Sequence, residues 1–184
     1  MKMNRKWGWP VMLGLSILFA QCKDSGEDLE PDDENELITS VTLKFTEAGT
    51  NTVTSFSYKD ADGDGGNAPT AFDTIALKPN ASYTLTAAFL DESKNPVENI
   101  TEEIAEKANE HLLVYTPAPS SLLIYTYGDK DANNYPIGLT GTVKTGAAGA
   151  GTLKVQLRHQ PGTKNGTTSP GSDDVNLDFN LKIR

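Results

Sequence analysis

"VNLDFNLKI", residues 175–183, alternates without a fault: Val175, Leu177, Phe179, Leu181 and Ile183 stand against Asn176, Asp178, Asn180 and Lys182. A helix would scatter these apolar side chains around its circumference, whereas a strand puts them all on one face. The segment therefore reads as a β-strand buried on one side. Upstream, "GTLKVQLRH" (151–159) repeats the pattern with Leu153, Val155 and Leu157, and "ITSVTLKFT" (38–46) does so with Val41, Leu43 and Phe45. "TVTSFSY" (52–58), "DTIAL" (73–77), "SYTLTAAFL" (82–90), "HLLVYT" (111–116), "LLIYTY" (122–127) and "IGLTGTVKT" (137–145) complete the set. Nine short strands with one-sided burial predict a mainly β domain. The expected architecture is an antiparallel β-sandwich of immunoglobulin-like layout, with a closed barrel as the alternative. "KPNA" (78–81) reads as a hairpin link between "DTIAL" and "SYTLTAAFL", and "TGAAGAGT" (145–152) has the glycines of a tight reversal.

One segment breaks the rhythm. In "ENITEEIAEKANEH" (98–111), Ile100, Ile104 and Ala108 recur every four residues. Asn99 has the chemistry of an N-cap, with Glu102 three residues on as in a capping box, and Glu103 and Lys107 form an i,i+4 pair. The spacing predicts a helix over 100–109, lying across one open end of the sandwich. Glu102, Glu106 and Glu110 should face solvent.

The N-terminal region has a different character. Lys2, Arg5 and Lys6 precede an apolar run, Val11 to Ala20, which stops at Cys22, the one cysteine of the chain. A run of this length suits the core of a signal peptide; a spanning helix needs about 20 apolar residues. After Cys22 and Lys23, eight acidic residues crowd into 24–36, with Pro31 among them. With almost nothing apolar to bury, 22–36 reads as an extended, self-repelling tether. The organisation expected is a leader over 1–21, the cysteine and tether over 22–36, and one domain over 37–184.

The full chain carries a net charge of −9. Loss of a leader with three basic and no acidic residues would leave −12, and the domain from Leu37 onward stands at −5. A negative domain without a basic run argues against nucleic acid as a partner. The absence of a basic amphipathic helix argues against direct binding to an anionic membrane surface. No cysteine remains after Cys22, so the domain has no disulfide, thiol nucleophile or cysteine-held metal.

"LFAQC" (18–22) resembles the lipobox of bacterial lipoproteins, in which the cysteine after the cleavage site carries a diacylglycerol. Gln21 stands where a small residue is usual. Acyl chains contribute about 0.8 kcal/mol per buried CH₂, and stable anchoring takes more than one chain, which a triacylated Cys22 would supply. The acidic "CKDSGED" (22–28) resembles the surface-export signal of Bacteroidota lipoproteins. Beyond the leader, "SYKDADGDGGNAP" (57–69), "ENITEEIAEKANEHLLVY" (98–115), "YPIGLTGTVKTGAAGAGTLKVQLRHQP" (135–161) and "VNLDFNLKI" resemble a family of small Bacteroidota outer-membrane lipoproteins without an assigned activity. The likeness covers most of residues 38–183. It implies a lipid-anchored, outward-facing protein of the outer membrane. Two labels attached to such proteins do not suit this chain. A type 1 periplasmic-binding fold needs repeated βαβ units, and GTP cyclohydrolase needs zinc ligands and basic phosphate-gripping residues.

Enzyme signatures are missing from the sequence: there is no Gly-x-Ser-x-Gly, His-Glu-x-x-His or P-loop lysine. The expectation is a protein that is not an enzyme; the alternative is a hydrolase built on a pair of its many carboxylates. Two ligand-like words remain. In "DADGDGG" (60–66), Asp60, Asp62 and Asp64 followed by Gly65 match the first half of a calcium loop, while Ala71 stands where an EF-hand has its bidentate glutamate. The other reading is an acidic, glycine-rich turn. His111 and His159, the only two histidines, each sit at the end of a predicted strand. If those ends coincide, His111, His159 and Glu110 form an imidazole–carboxylate set for zinc or copper; otherwise each ring caps the core and bonds a nearby carbonyl.

Two functions compete. The first is a cell-surface lipoprotein binding module, accessory to an outer-membrane transporter such as a TonB-dependent receptor. The second is a structural or adhesive surface protein without a small-molecule ligand. Both require the anchor. Cys22→Ser should shift the mature mass and release the protein from the membrane fraction. An unchanged mass and distribution would contradict the lipobox.

Overall fold

The computed structural model describes residues 37–62 and 66–184. Leader, tether and Cys22 lie outside the described residues. The described residues form a β-sandwich of ten strands and one α-helix. In chain order the elements are β1 (Ser40–Glu47), β2 (Val53–Lys59), β3 (Ala71–Phe72), β4 (Ile75–Leu77), β5 (Ser82–Leu90), α1 (Ile100–Glu106), β6 (His111–Ala118), β7 (Leu123–Tyr127), β8 (Thr140–Thr145), β9 (Gly149–His159) and β10 (Ser172–Ile183). A single 3₁₀ turn, Ser120–Leu122, leads from β6 into β7.

Six strands make one sheet, in the order β3-β2-β1-β5-β8-β7; four make the other, β4-β10-β9-β6. All pairs are antiparallel except β4 and β10, which run parallel with Ile75 beside Leu181. This is more strands than immunoglobulin domains carry. The alternation expected of the sequence is the burial pattern observed. Val41, Leu43, Phe45, Leu153, Val155, Leu157, Phe179 and Leu181 are all fully covered, and they meet between the sheets. Phe45 stands edge-on to Phe56 and Tyr83, and Phe72 edge-on to Phe179, geometry that suits the aromatic quadrupole.

Three expectations need correction. "DTIAL" and "SYTLTAAFL" do not form a hairpin: β4 and β5 belong to different sheets, and 78–81 carries the chain across the sandwich. β4 completes the second sheet because Ile75 and Leu77 gain full burial alongside β10. The hairpin partner of β2 is the two-residue β3, too short for periodicity to reveal. The helix stops at Glu106, about one turn short of Asn109. Its carbonyl groups beyond that point are taken from outside the helix, as described below, and the chain must turn at once into β6. Asn99 also does not cap by its side chain; its amide donates to the Glu102 carboxylate at 2.7 Å. The apolar stripe behaves as expected, with Ile100 and Ile104 buried.

The topology separates two unlike ends. Strand ends at 47, 53, 77, 82, 118, 145, 149 and 183 share one end and are joined by short links. The opposite end holds the starts of β1, β6, β8 and β10 and the finishes of β2, β5, β7 and β9. It carries every long connection: 60–70, 91–99 with α1, 128–139 and 160–171. The chain also enters the sandwich here, at Leu37.

Candidate functional site

Apolar side chains fill the middle of the sandwich, but the loop-bearing end is different. Thr39, Ser40, Asp60, Asp91, His111, Asp131 and Gln160 are all buried there; of the buried polar residues described, only Thr145 lies at the other end. Burying such groups costs free energy unless they find partners, so their bonding shows what this end is built to hold.

Register brings the two histidines together. β6 and β9 are antiparallel with Leu113 opposite Leu157, and two residues further along His111 stands opposite His159. Both rings point inward, because side chains two apart share a face. They stack with centroids 4.9 Å apart and planes 7° from parallel. His111 Nδ1 lies 3.1 Å from the Lys107 carbonyl at the end of α1. A carbonyl only accepts, so this bond fixes the proton on Nδ1 and leaves a lone pair on Nε2.

Asp174 completes the cluster through a β-bulge. In β10, Asp173 pairs with Arg158 and Val175 with Leu157, so Asp174 is the extra residue between them. Strict alternation from Val175 would turn Asp174 outward. The bulge instead buries its side chain to 2% exposure beside the two rings. Its Oδ2 lies 3.7 Å from His111 Nε2 and its Oδ1 4.0 Å from His159 Nδ1. Both distances are too long for a hydrogen bond, and Oδ1 has no hydrogen-bond partner among the described residues. Desolvation pushes the Asp174 carboxyl up to about 6, against the opposing pull of His159. Burial takes His111 down to about 4, only partly countered by its bond to the Lys107 carbonyl.

The carboxylate expected beside the histidines was Glu110. It is not the one that reaches them; Glu110 contributes its backbone carbonyl, which accepts the Gln160 N–H at 2.6 Å. Nor does the set make a metal centre as it stands. Two parallel stacked rings cannot both aim an in-plane lone pair at one ion, and among the described residues no three His, Cys, Asp or Glu side chains are placed to hold a metal. Of the calcium triad, Asp60 is buried and accepts from the Tyr58 hydroxyl at 3.1 Å. Asp62 is exposed and accepts from the Asn67 side chain at 2.6 Å, a bond that holds its carboxyl below the ordinary value. Asp64 lies outside the described residues.

A buried ion pair, unforeseen in the sequence, fastens the loops around this cluster. Lys164 Nζ lies 2.9 Å from Asp131 Oδ2, with 2% and 1% of the two side chains exposed. The same ammonium donates to the Ala108 carbonyl at 2.8 Å. Asp131 Oδ1 accepts the N–H groups of Asn133 and Tyr135. Burial alone would raise the Asp131 carboxyl, but the Lys164 ammonium and these N–H groups win and hold it below the ordinary value. Lys164, Asp131 and the α1 terminus thus tie 160–171, 128–139 and 107–110 into one unit. The Gln160 amide bonds the Thr167 and Pro170 carbonyls, and Arg158 spans Asp173 and Gly171. Gly171, at φ +79°, lies so close to the His159 carbonyl that no side chain fits.

Aromatic hydroxyls secure the other flank. Tyr115 and Tyr125 both donate to the Gly138 carbonyl, and Tyr127 donates to the Leu113 carbonyl. Asp129 accepts the Gly138 and Thr140 N–H groups. Desolvation raises all three phenols, so they stay neutral donors at any ordinary pH.

No protein-family model matches the chain, and neither a curated protein nor a solved structure shows significant similarity to it.

The ion pair gives a direct test. Lys164→Met leaves Asp131 buried without its cation and should cost about 3 kcal/mol in urea unfolding. Adding Asp131→Asn should recover much of that loss. Two losses that simply add would mean the residues act independently.

Proposed function

We propose that the protein is a lipid-anchored surface binding module that meets its partner with the loop-bearing end of the sandwich, beside an outer-membrane transporter. One observation carries this reading: the buried polar side chains gather at that end and hold 128–139 and 160–171 against the end of α1. Long loops are mobile by default. Ordering them through a buried ion pair and tyrosine hydroxyls reduces the entropy that a partner would otherwise have to overcome. A protein serving only as a spacer or smooth adhesive wall gains nothing from such preorganisation.

Two further features agree. The lipobox-like "LFAQC" and the acidic stretch after it supply the anchor and the reach. Because the chain enters the sandwich at the loop-bearing end, a tether joins the domain on the side where a partner in the same membrane would be met. Calcium at Asp60 and Asp62 remains part of this proposal, as an ion that would stiffen the 60–70 loop at the same end.

Site-specific photo-crosslinking in intact cells tests the reading. Tyr135, exposed in 128–139, marks the loop-bearing end, and Asn51, exposed in the link between β1 and β2, marks the other. A crosslinker at 135 should capture a membrane protein and one at 51 should not. Equal capture from both, or capture from 51 alone, would favour the adhesive alternative.

A further inference from the structure

We infer that His111, His159 and Asp174 form a one-proton latch, in which a single proton held between the buried carboxyl and the facing ring edges fastens the start of β10 to the β6–β9 pair and to α1. The inference stands on the geometry of the cluster and does not depend on the binding role proposed above.

Without that proton the arrangement is unsatisfied. The His111 Nδ1 proton is committed to the Lys107 carbonyl, so its Nε2 lone pair faces Asp174 Oδ2 across 3.7 Å. Lone pair and carboxylate oxygen repel, and no hydrogen bond joins them. Asp174 Oδ1 is likewise buried without a partner. One proton from solvent, forming an O–H bond at Asp174 or an N–H bond at a ring, turns this contact into a hydrogen bond. The carboxyl lies across both ring edges, so either ring can share the proton.

The surrounding charges favour one proton and oppose a second. Lys107 from α1 and Lys164 from 160–171 both disfavour a cation on His111, as does a charged His159. Asp131 from 128–139 pairs with Lys164. Asp173 on β10 repels the ionised Asp174, and Arg158 on β9 attracts it. Glu110 precedes His111 at the turn into β6. A doubly protonated pair would set two cationic rings face to face at 4.9 Å.

The sign of the pH dependence follows. Asp174 is raised in the fold, so its contribution to stability is present at low pH and is lost as pH rises through about 6. His111 is depressed to about 4, so its contribution is present above the free-histidine value and is lost as pH falls toward 4. Over that window the two oppose each other, because the unfolded chain gains a proton on its freed histidine. Global stability should therefore change little, and the latch must be read locally.

The experiment is an NMR titration of the full chain from pH 7.5 to 4.5, following ring nitrogens and amide exchange at 172–175. With two histidines in the chain, the ring signals are few. The His111 ring should report a step with a midpoint near 6, that of the facing Asp174 carboxyl and not its own value of about 4, and exchange at 172–175 should slow on the acid side. Asp174→Asn, whose amide can donate to His111 Nε2 in the proton's place, should abolish the step and keep exchange slow at every pH. A His111 ring that shows no step near 6, or a step that survives Asp174→Asn, would overturn the latch. If that variant does not fold, the wild-type titration still decides: a step near 6 sensed at the His111 ring supports the latch, and its absence refutes it.

Discussion

The register of β6 against β9 is the constraint from which the loop-bearing end follows. Both strands turn alternate side chains into the space between the sheets, with Leu112 of β6 buried besides, and a slip of one residue would turn the inward set to the opposite face. Leu113, Tyr115, Leu153, Val155 and Leu157 are nearly or fully covered, so a slip would expose most of this face, at about 25 cal/mol for each Å² of apolar surface. The apolar core thus fixes the alignment, and the alignment dictates that His111 faces His159. Neither histidine need attract the other; the leucines and valines behind them bring them together.

The polar groups at that end act differently from the core. A buried ion pair such as Lys164–Asp131 adds little net stability over an apolar pair of the same shape, because desolvation offsets most of the attraction. Its effect is on arrangement. Lys164 reaches both Asp131 and the Ala108 carbonyl, so the 160–171 loop can close in only one position relative to α1 and 128–139. The same carbonyls explain the short helix. Past Glu106, Lys107 gives its carbonyl to His111, Ala108 to Lys164 and Glu110 to Gln160. Bonds from β6 and from the 160–171 loop replace the helical ones, and the helix ends where they begin.

Much of the sandwich was legible because one-sided burial writes a period of two into sequences such as 175–183 and 151–159. What escaped notice had no such period. β3 is two residues long. The parallel pairing of β4 with β10 joins segments far apart in the chain. The histidine pair was half legible: alternation placed His159 on the core face of its strand, but the alignment of β6 with β9 is not a local property. Asp174 was hidden for a sharper reason. A bulge adds one residue to a strand and reverses the side on which that residue lies, so an aspartate that alternation assigns to solvent lies in the core. The adjacent acids Asp173 and Asp174 at the strand start were the only trace. Lys164 stands in a loop of Gly, Thr, Ser and Pro, where composition predicts exposure.

The register itself can be measured by crosslinking. Directly opposed residues of antiparallel strands have Cα atoms about 4.5–5.5 Å apart, within the range a disulfide spans. With Cys22 replaced by Ser, cysteines at 111 and 159 should oxidise to one intramolecular bond in the folded domain. Cysteines at 111 and 158 should stay reduced, since Arg158 points to the other face of the sheet. Bonding of 111 to 158 with 159 left free would contradict the account, because the core, the bulge and the loop-bearing end all rest on the alignment that places His111 opposite His159.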